Sequence, residues 1–141
     1  MTPLSFAVYN GTFEVVRLLF EHGGSIEHGQ LLHHAVLRDA SDCTAMVSYL
    51  LDQGAPINET MYQNRPDNLL RFWYGRPGTA LQRASELGKV EVVDLLLERG
   101  ADPSIRDNNG RLPIETAEEF GQDKVVKRLR HYSRLEDSGA P

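Results

Sequence analysis

Apolar positions recur along the chain in one spacing, Gly-x-x-x-Val-Val-x-Leu-Leu-(Leu/Phe)-x-x-Gly. The first copy is Gly11, Val15, Val16, Leu18, Leu19, Phe20 and Gly23. The second, offset by 77 positions, is Gly88, Val92, Val93, Leu95, Leu96, Leu97 and Gly100. A third opens 33 positions later at Gly121, with Val125, Val126 and Leu129 in register. Each copy predicts an apolar helix that a left-handed glycine closes at Gly23, Gly54 or Gly100. Ahead of each lies a second block. Thr2-Pro3-Leu4-Ser5-Phe6-Ala7 matches Thr79-Ala80-Leu81-Gln82-Arg83-Ala84, Leu112-Pro113-Ile114-Glu115-Thr116-Ala117 and Gln30-Leu31-Leu32-His33-His34-Ala35. A capping Thr, a first-turn Pro and a Leu and Ala three residues apart predict a short helix, with Ala letting a neighbouring helix come close. Self-similarity at this period marks a stacked-repeat architecture, in which each unit buries its apolar face against its neighbours.

The departures from regularity are as informative as the matches. From Gly100 to Leu112 is 12 positions, from Gly23 to Gln30 only 7, and from Gly54 to Thr79 is 25. The first inter-repeat connection is therefore short, and an insertion fills residues 59–77. Repeat two also has a wider loop between its helices, Ala35 to Val47 spanning 12 positions against 9 from Ala84 to Val93. Loops absorb such changes cheaply because closure entropy rises slowly with length.

With both blocks in register, the chain resembles the ankyrin repeat family over about residues 2–58 and 78–132. The segment from Gly78 to Pro103 follows the family pattern most fully, through Leu81, Ala84, Gly88, Val92, Val93, Leu96, Leu97, Gly100, Ala101 and Asp102. The resemblance implies an all-α solenoid of stacked helix-turn-helix units with hairpin loops. Repeats fall at about 2–26, 30–58, 78–105 and 106–132, giving a domain over 1–132 and a polar, frayed tail over 133–141. Inner helices and hairpins form the family's concave recognition surface. Its geometry places Tyr9, Asn10, Leu37, Arg38, Glu86, Leu87, Glu119 and Phe120 toward the groove, with Leu87 and Phe120, just before their glycines, packed rather than free. Hairpin tips add Asp107, Asn108, Asn109 and Arg111, and the shortened first hairpin adds Glu27 and His28.

The insertion holds the only tryptophan, Trp73, with Tyr62, Phe72 and Tyr74. Disordered segments lack aromatics, so this one should pack, either as a satellite core on repeats two and three or as part of a binding surface. Pro66-Asp67-Asn68 and Gly75-Arg76-Pro77 bracket about two helical turns near 67–74. The first repeat presents Phe6, Val8, Phe13 and Phe20 at its open end, poor chemistry for a solvent-facing cap. This predicts further repeats, a partner or a second copy there. The last helix, from Asp123 to about Tyr132, carries Lys124, Lys127, Arg128 and Arg130, the polar face of a terminal cap with cations favourable at a helix C-terminus.

A formal charge of -5 disfavours nonspecific nucleic-acid or membrane binding, and a single cysteine, Cys43, excludes an internal disulfide. Cytoplasmic or nuclear placement is expected, since neither a membrane-length apolar run nor a signal pattern is visible. No catalytic constellation emerges. Cys43 lies in the widened loop beside Asp39 and Asp42, where carboxylates oppose a thiolate. His33 and His34 point some 100° apart on a helix and do not share an ion, so no metal site or cofactor is expected. The function expected is a noncatalytic protein–protein interaction module using the concave face, the hairpins and the 59–77 insertion. The alternative is a small-molecule-binding protein or enzyme with a pocket between the insertion and the inner helices of repeats two and three, where His34, Tyr62 or Glu86 would move protons.

Overall fold

A computed structural model describes residues 7–8, 11–23, 31–38, 42–58, 78–107 and 110–139, with side chains of the last stretch through 133. Every regular element among them is an α-helix. The chain divides into two compact units, Met1–Ile57 and Asn58–Pro141.

In the first unit, α1 spans Phe13–Glu21, α2 Leu31–Val36 and α3 Cys43–Asp52. Thr12 caps α1, its hydroxyl accepting from the Val15 N–H at 3.3 Å. Helix α2 is buried on every side, and α3 packs against it through Met46, Val47 and Leu50. Two of the open-end aromatics are used within the unit. Phe13 and Phe20 meet Tyr49 edge-on, with ring centroids 4.8 and 5.9 Å apart, and Val8 is fully buried. Tyr49 lies on α3 at the register position of Leu18 and Leu95, where the other copies carry leucine, so the repeat pattern did not reveal an aromatic partner there. Val15 and Leu18 stay exposed, while Phe6 lies outside the described residues.

The second unit holds α4 (Ala80–Leu87), α5 (Val90–Glu98), α6 (Pro113–Glu119) and α7 (Asp123–Gly139). Helix α4 packs on α5 and α6, α6 on α7, and α5 on α7, which is the stacked arrangement of two helix pairs. The repeated positions form the core: Leu81, Ala84, Val93, Leu96, Ala117, Val126 and Leu129 are all buried. Ala84 and Ala117 have no exposed surface, as the close approach of α4 and α6 requires. Gly100 closes α5 at φ 96°, a left-handed conformation that costs other residues, and Ala101 N–H then donates to Leu96 O at 2.9 Å.

Helix α7 continues to Gly139 instead of ending near Tyr132. The reason is in residues 133–138, Ser-Arg-Leu-Glu-Asp-Ser, which contain neither proline nor glycine to stop it. No helix among the described residues is long and apolar enough to cross a membrane.

Candidate functional site

Gln82 organises the second unit's hairpin. Thr79 and Gln82 form a capping box: the Gln82 N–H donates to Thr79 Oγ1 at 3.3 Å, and the Thr79 N–H donates to Gln82 Oε1 at 2.7 Å. The Gln82 Nε2 group then donates to Ile105 O at 2.9 Å and Arg111 O at 3.0 Å. One buried amide therefore fixes both sides of the hairpin that follows α5 to the start of α4. At the tip, Asp107 N–H donates to Arg111 O and Arg111 N–H to Asp107 Oδ1, both at 3.0 Å. Gln82 stands in register with His33, and that match is the one sequence signal for its position.

The hairpin and the ends of α4 and α6 place a set of candidate residues together. Glu86 is half-buried and accepts from Arg83 Nη1 at 2.8 Å, while its carbonyl accepts from Gln122 Nε2 at 3.0 Å. Arg111 and Glu119 form an ion pair at the edge of the hairpin. Beside them, Leu87 and Phe120 are 42% and 43% exposed. This corrects the expectation that both are packed. Each is the residue before a left-handed glycine, Gly88 or Gly121, and the turn there carries the last helical side chain out of the interface that Ala84 and Ala117 make. Two large apolar side chains thus occupy equivalent repeat positions at the C-terminal ends of α4 and α6, flanked by two ion pairs.

In the first unit Leu37 is half-buried, and Arg38 turns inward. Arg38 is only 6% exposed; its Nη1 donates to Val8 O at 3.1 Å, and Nε and Nη2 donate to the two Asp42 oxygens at 2.6 and 3.0 Å. The widened loop returns the chain so that Asp42 meets Arg38 bidentately. That hydrogen bond, ahead of the opposing effect of desolvation, holds the Asp42 carboxyl below its ordinary 3.8. Cys43 also differs from expectation, since it begins α3 and is buried, its thiol donating to Ala35 O at 3.1 Å. His33 and His34 are buried on α2, and no three His, Cys, Asp or Glu side chains among the described residues form a metal-binding group. Tyr9, Asn10, Glu27, His28, Tyr62, Phe72, Trp73, Tyr74, Asn108 and Asn109 lie outside the described residues, as does the pocket suggested against the insertion.

Comparison with known proteins finds the family model described as ankyrin repeats (3 copies) over residues 1–61 and that of a single ankyrin repeat over residues 78–108. Residues 62–77 and 109–141 fall in neither match. Similar curated proteins include the serine/threonine-protein kinase TNNI3K of Mus musculus, 31% identical over 96% of this chain and 16% of its own length. The E3 ubiquitin-protein ligase hecd-1 of Caenorhabditis elegans is 33% identical over 55% of this chain and 2% of its own. The B-cell lymphoma 3 protein homolog of Mus musculus is 29% identical over 99% of this chain and 28% of its own. The chain thus spans a small part of each of these relatives.

Proposed function

Because the chain belongs to the ankyrin repeat family, whose repeats generally serve as protein–protein interaction modules, we propose that it is a noncatalytic module that takes a peptide segment along the inner helices of its second unit. The observation that carries this reading is the exposure of Leu87 and Phe120 at equivalent repeat positions, at the C-terminal ends of α4 and α6. A single exposed leucine is ordinary; two large apolar side chains in repeat register, each just ahead of a left-handed glycine, supply an apolar strip for a partner. The neighbouring Arg83–Glu86 and Arg111–Glu119 pairs supply polar groups at its rim, where they set register and orientation more than affinity. The partner is a protein segment with an apolar anchor and mixed charge. Arg111, Glu119, Leu87 and Phe120 are its contacts in this unit, and the aromatic insertion with Trp73 is proposed as a further contact.

The test is a peptide selected from a random library on the immobilised chain, then titrated calorimetrically against wild type and Leu87→Ala/Phe120→Ala. Hot-spot truncations cost about 2 kcal/mol or more, so the double variant should bind at least ~30-fold more weakly. Its melting temperature should stay close to wild type, since both side chains are exposed. Unchanged affinity would remove the proposed surface.

A further inference from the structure

Four side chains of α7, Lys124, Lys127, Arg128 and His131, line one open depression of about 450 Å³ together with Val90 at the start of α5. Their spacing is i, i+3, i+4, i+7, so a single stripe of the helix faces the depression. The buried Val125, Val126 and Leu129 interleave with it on the opposite side.

Helix stability does not account for this stripe. Because α7 runs from Asp123 to Gly139, Lys124, Lys127 and Arg128 sit in its first two turns and not near its C-terminus. The macrodipole disfavours cations there, and the uncapped start of α5 adds its own positive end at Val90. The acidic groups nearby are Asp123 on α7 and Glu91 and Asp94 on α5. Of these, Asp94 pairs with Arg128 at a loose 3.7 Å. Neither Lys124 nor Lys127 makes an ion pair among the described residues. Positive charge is therefore concentrated against both the local helix ends and a chain whose formal net charge is -5.

We propose that this stripe docks an acidic peptide segment of a partner protein, on a face separate from the Leu87–Phe120 strip. Successive turns of α7 are about 5.4 Å apart. An extended peptide places side chains on one face about 6.6 Å apart, so acidic residues at alternate positions reach Lys124 and then the Lys127–Arg128 turn. The stripe is about 10 Å long, which suits three peptide residues. A nucleic acid fits less well. Phosphate-tracking proteins neutralise about 6–10 phosphates, against four basic side chains here, and the remaining acidic surface repels a long polyanion. Val90 supplies an apolar floor for the intervening peptide side chain.

The probe is fluorescein-labelled Glu-Leu-Glu-Leu-Glu, followed by anisotropy, with Gln-Leu-Gln-Leu-Gln as the uncharged control and a labelled thymidine 12-mer as the competing class. Wild type should bind the glutamate peptide saturably at low salt and release it as salt shortens the screening length. Lys124→Glu/Lys127→Glu should weaken binding at least ~10-fold. Arg17→Glu/Arg130→Glu makes the same change in net charge at exposed positions outside the stripe and should keep affinity within about twofold. Circular dichroism establishes that both variants are folded. No saturable binding, equal losses in the two double variants, or tighter binding of the thymidine 12-mer would each overturn the proposal. Leu87→Ala/Phe120→Ala should bind the probe as wild type does, which separates failure here from failure of the inner-helix reading.

Discussion

Replacing Gln82 with Leu tests whether one buried amide holds the second unit's hairpin in place. Leu approximates the volume and removes three hydrogen bonds, those with the Thr79 N–H, Ile105 O and Arg111 O. Each bond contributes about 1 kcal/mol net, and a partner left buried without water costs about 1–3 kcal/mol. The Thr79 N–H is buried, whereas the two carbonyls are part-buried and regain water. The loss should therefore be about 2–4 kcal/mol, a large share of the ~5–15 kcal/mol typical of a domain. With a urea m-value of about 2 kcal/mol/M, the midpoint falls by ~1–2 M. Gln82→Glu should resemble Leu at neutral pH, since it keeps the acceptor for Thr79 but sets a carboxylate against two carbonyl oxygens. Hydrogen exchange supplies the local readout: the Thr79 amide should exchange faster in Gln82→Leu, while Val93 in α5 changes only with global stability. A midpoint within about 0.2 M of wild type would refute the reasoning.

Four further outcomes follow from particular contacts. Arg38→Met should cost about 1–2 kcal/mol, mainly through the Val8 carbonyl left behind, because Asp42 is 38% exposed and its share is screened. Asp42 has a folded pKa below its unfolded value, so its contribution is present above about pH 4 and is lost as pH falls through the lower folded value. Thermal melts of wild type and Asp42→Asn should accordingly differ at pH 7 and converge in acid. Thr116 is buried with no hydrogen-bond partner for Oγ1 among the described residues, so Thr116→Val should stabilise by about 1 kcal/mol and raise the melting temperature by ~3 °C or more. Leu96→Ala, at a fully buried position between α5 and its neighbours, should destabilise by ~2–5 kcal/mol in urea titrations.

The frame of the molecule was legible because it rests on periodic burial. Val16, Val47, Val93 and Val126 share one register position, and all four are buried, even though the loop ahead of Val47 is wider than in the other repeats. The glycine caps were equally legible, because only a left-handed residue ends a helix in that way and the chain marks it with glycine. The surface was less so. Arg38 was assigned to the groove from its position relative to Ala35, yet its inward turn depends on Asp42, four residues on across a loop of atypical length. Leu87 and Phe120 were read as packed because large apolar residues usually are, whereas their exposure depends on the turn geometry at the following glycine. Of the two reasons for the basic residues of α7, a polar terminal-cap face and a helix end near Tyr132, the second fails once the helix extends to Gly139.

The central claim, that the inner helices of the second unit receive a peptide, is tested most directly by amide chemical-shift mapping of the labelled chain with the selected peptide. The account predicts that shifts concentrate at Glu86, Leu87, Arg111, Glu119 and Phe120. Shifts confined to α5 and α7, or spread with no focus at these five positions, would contradict it.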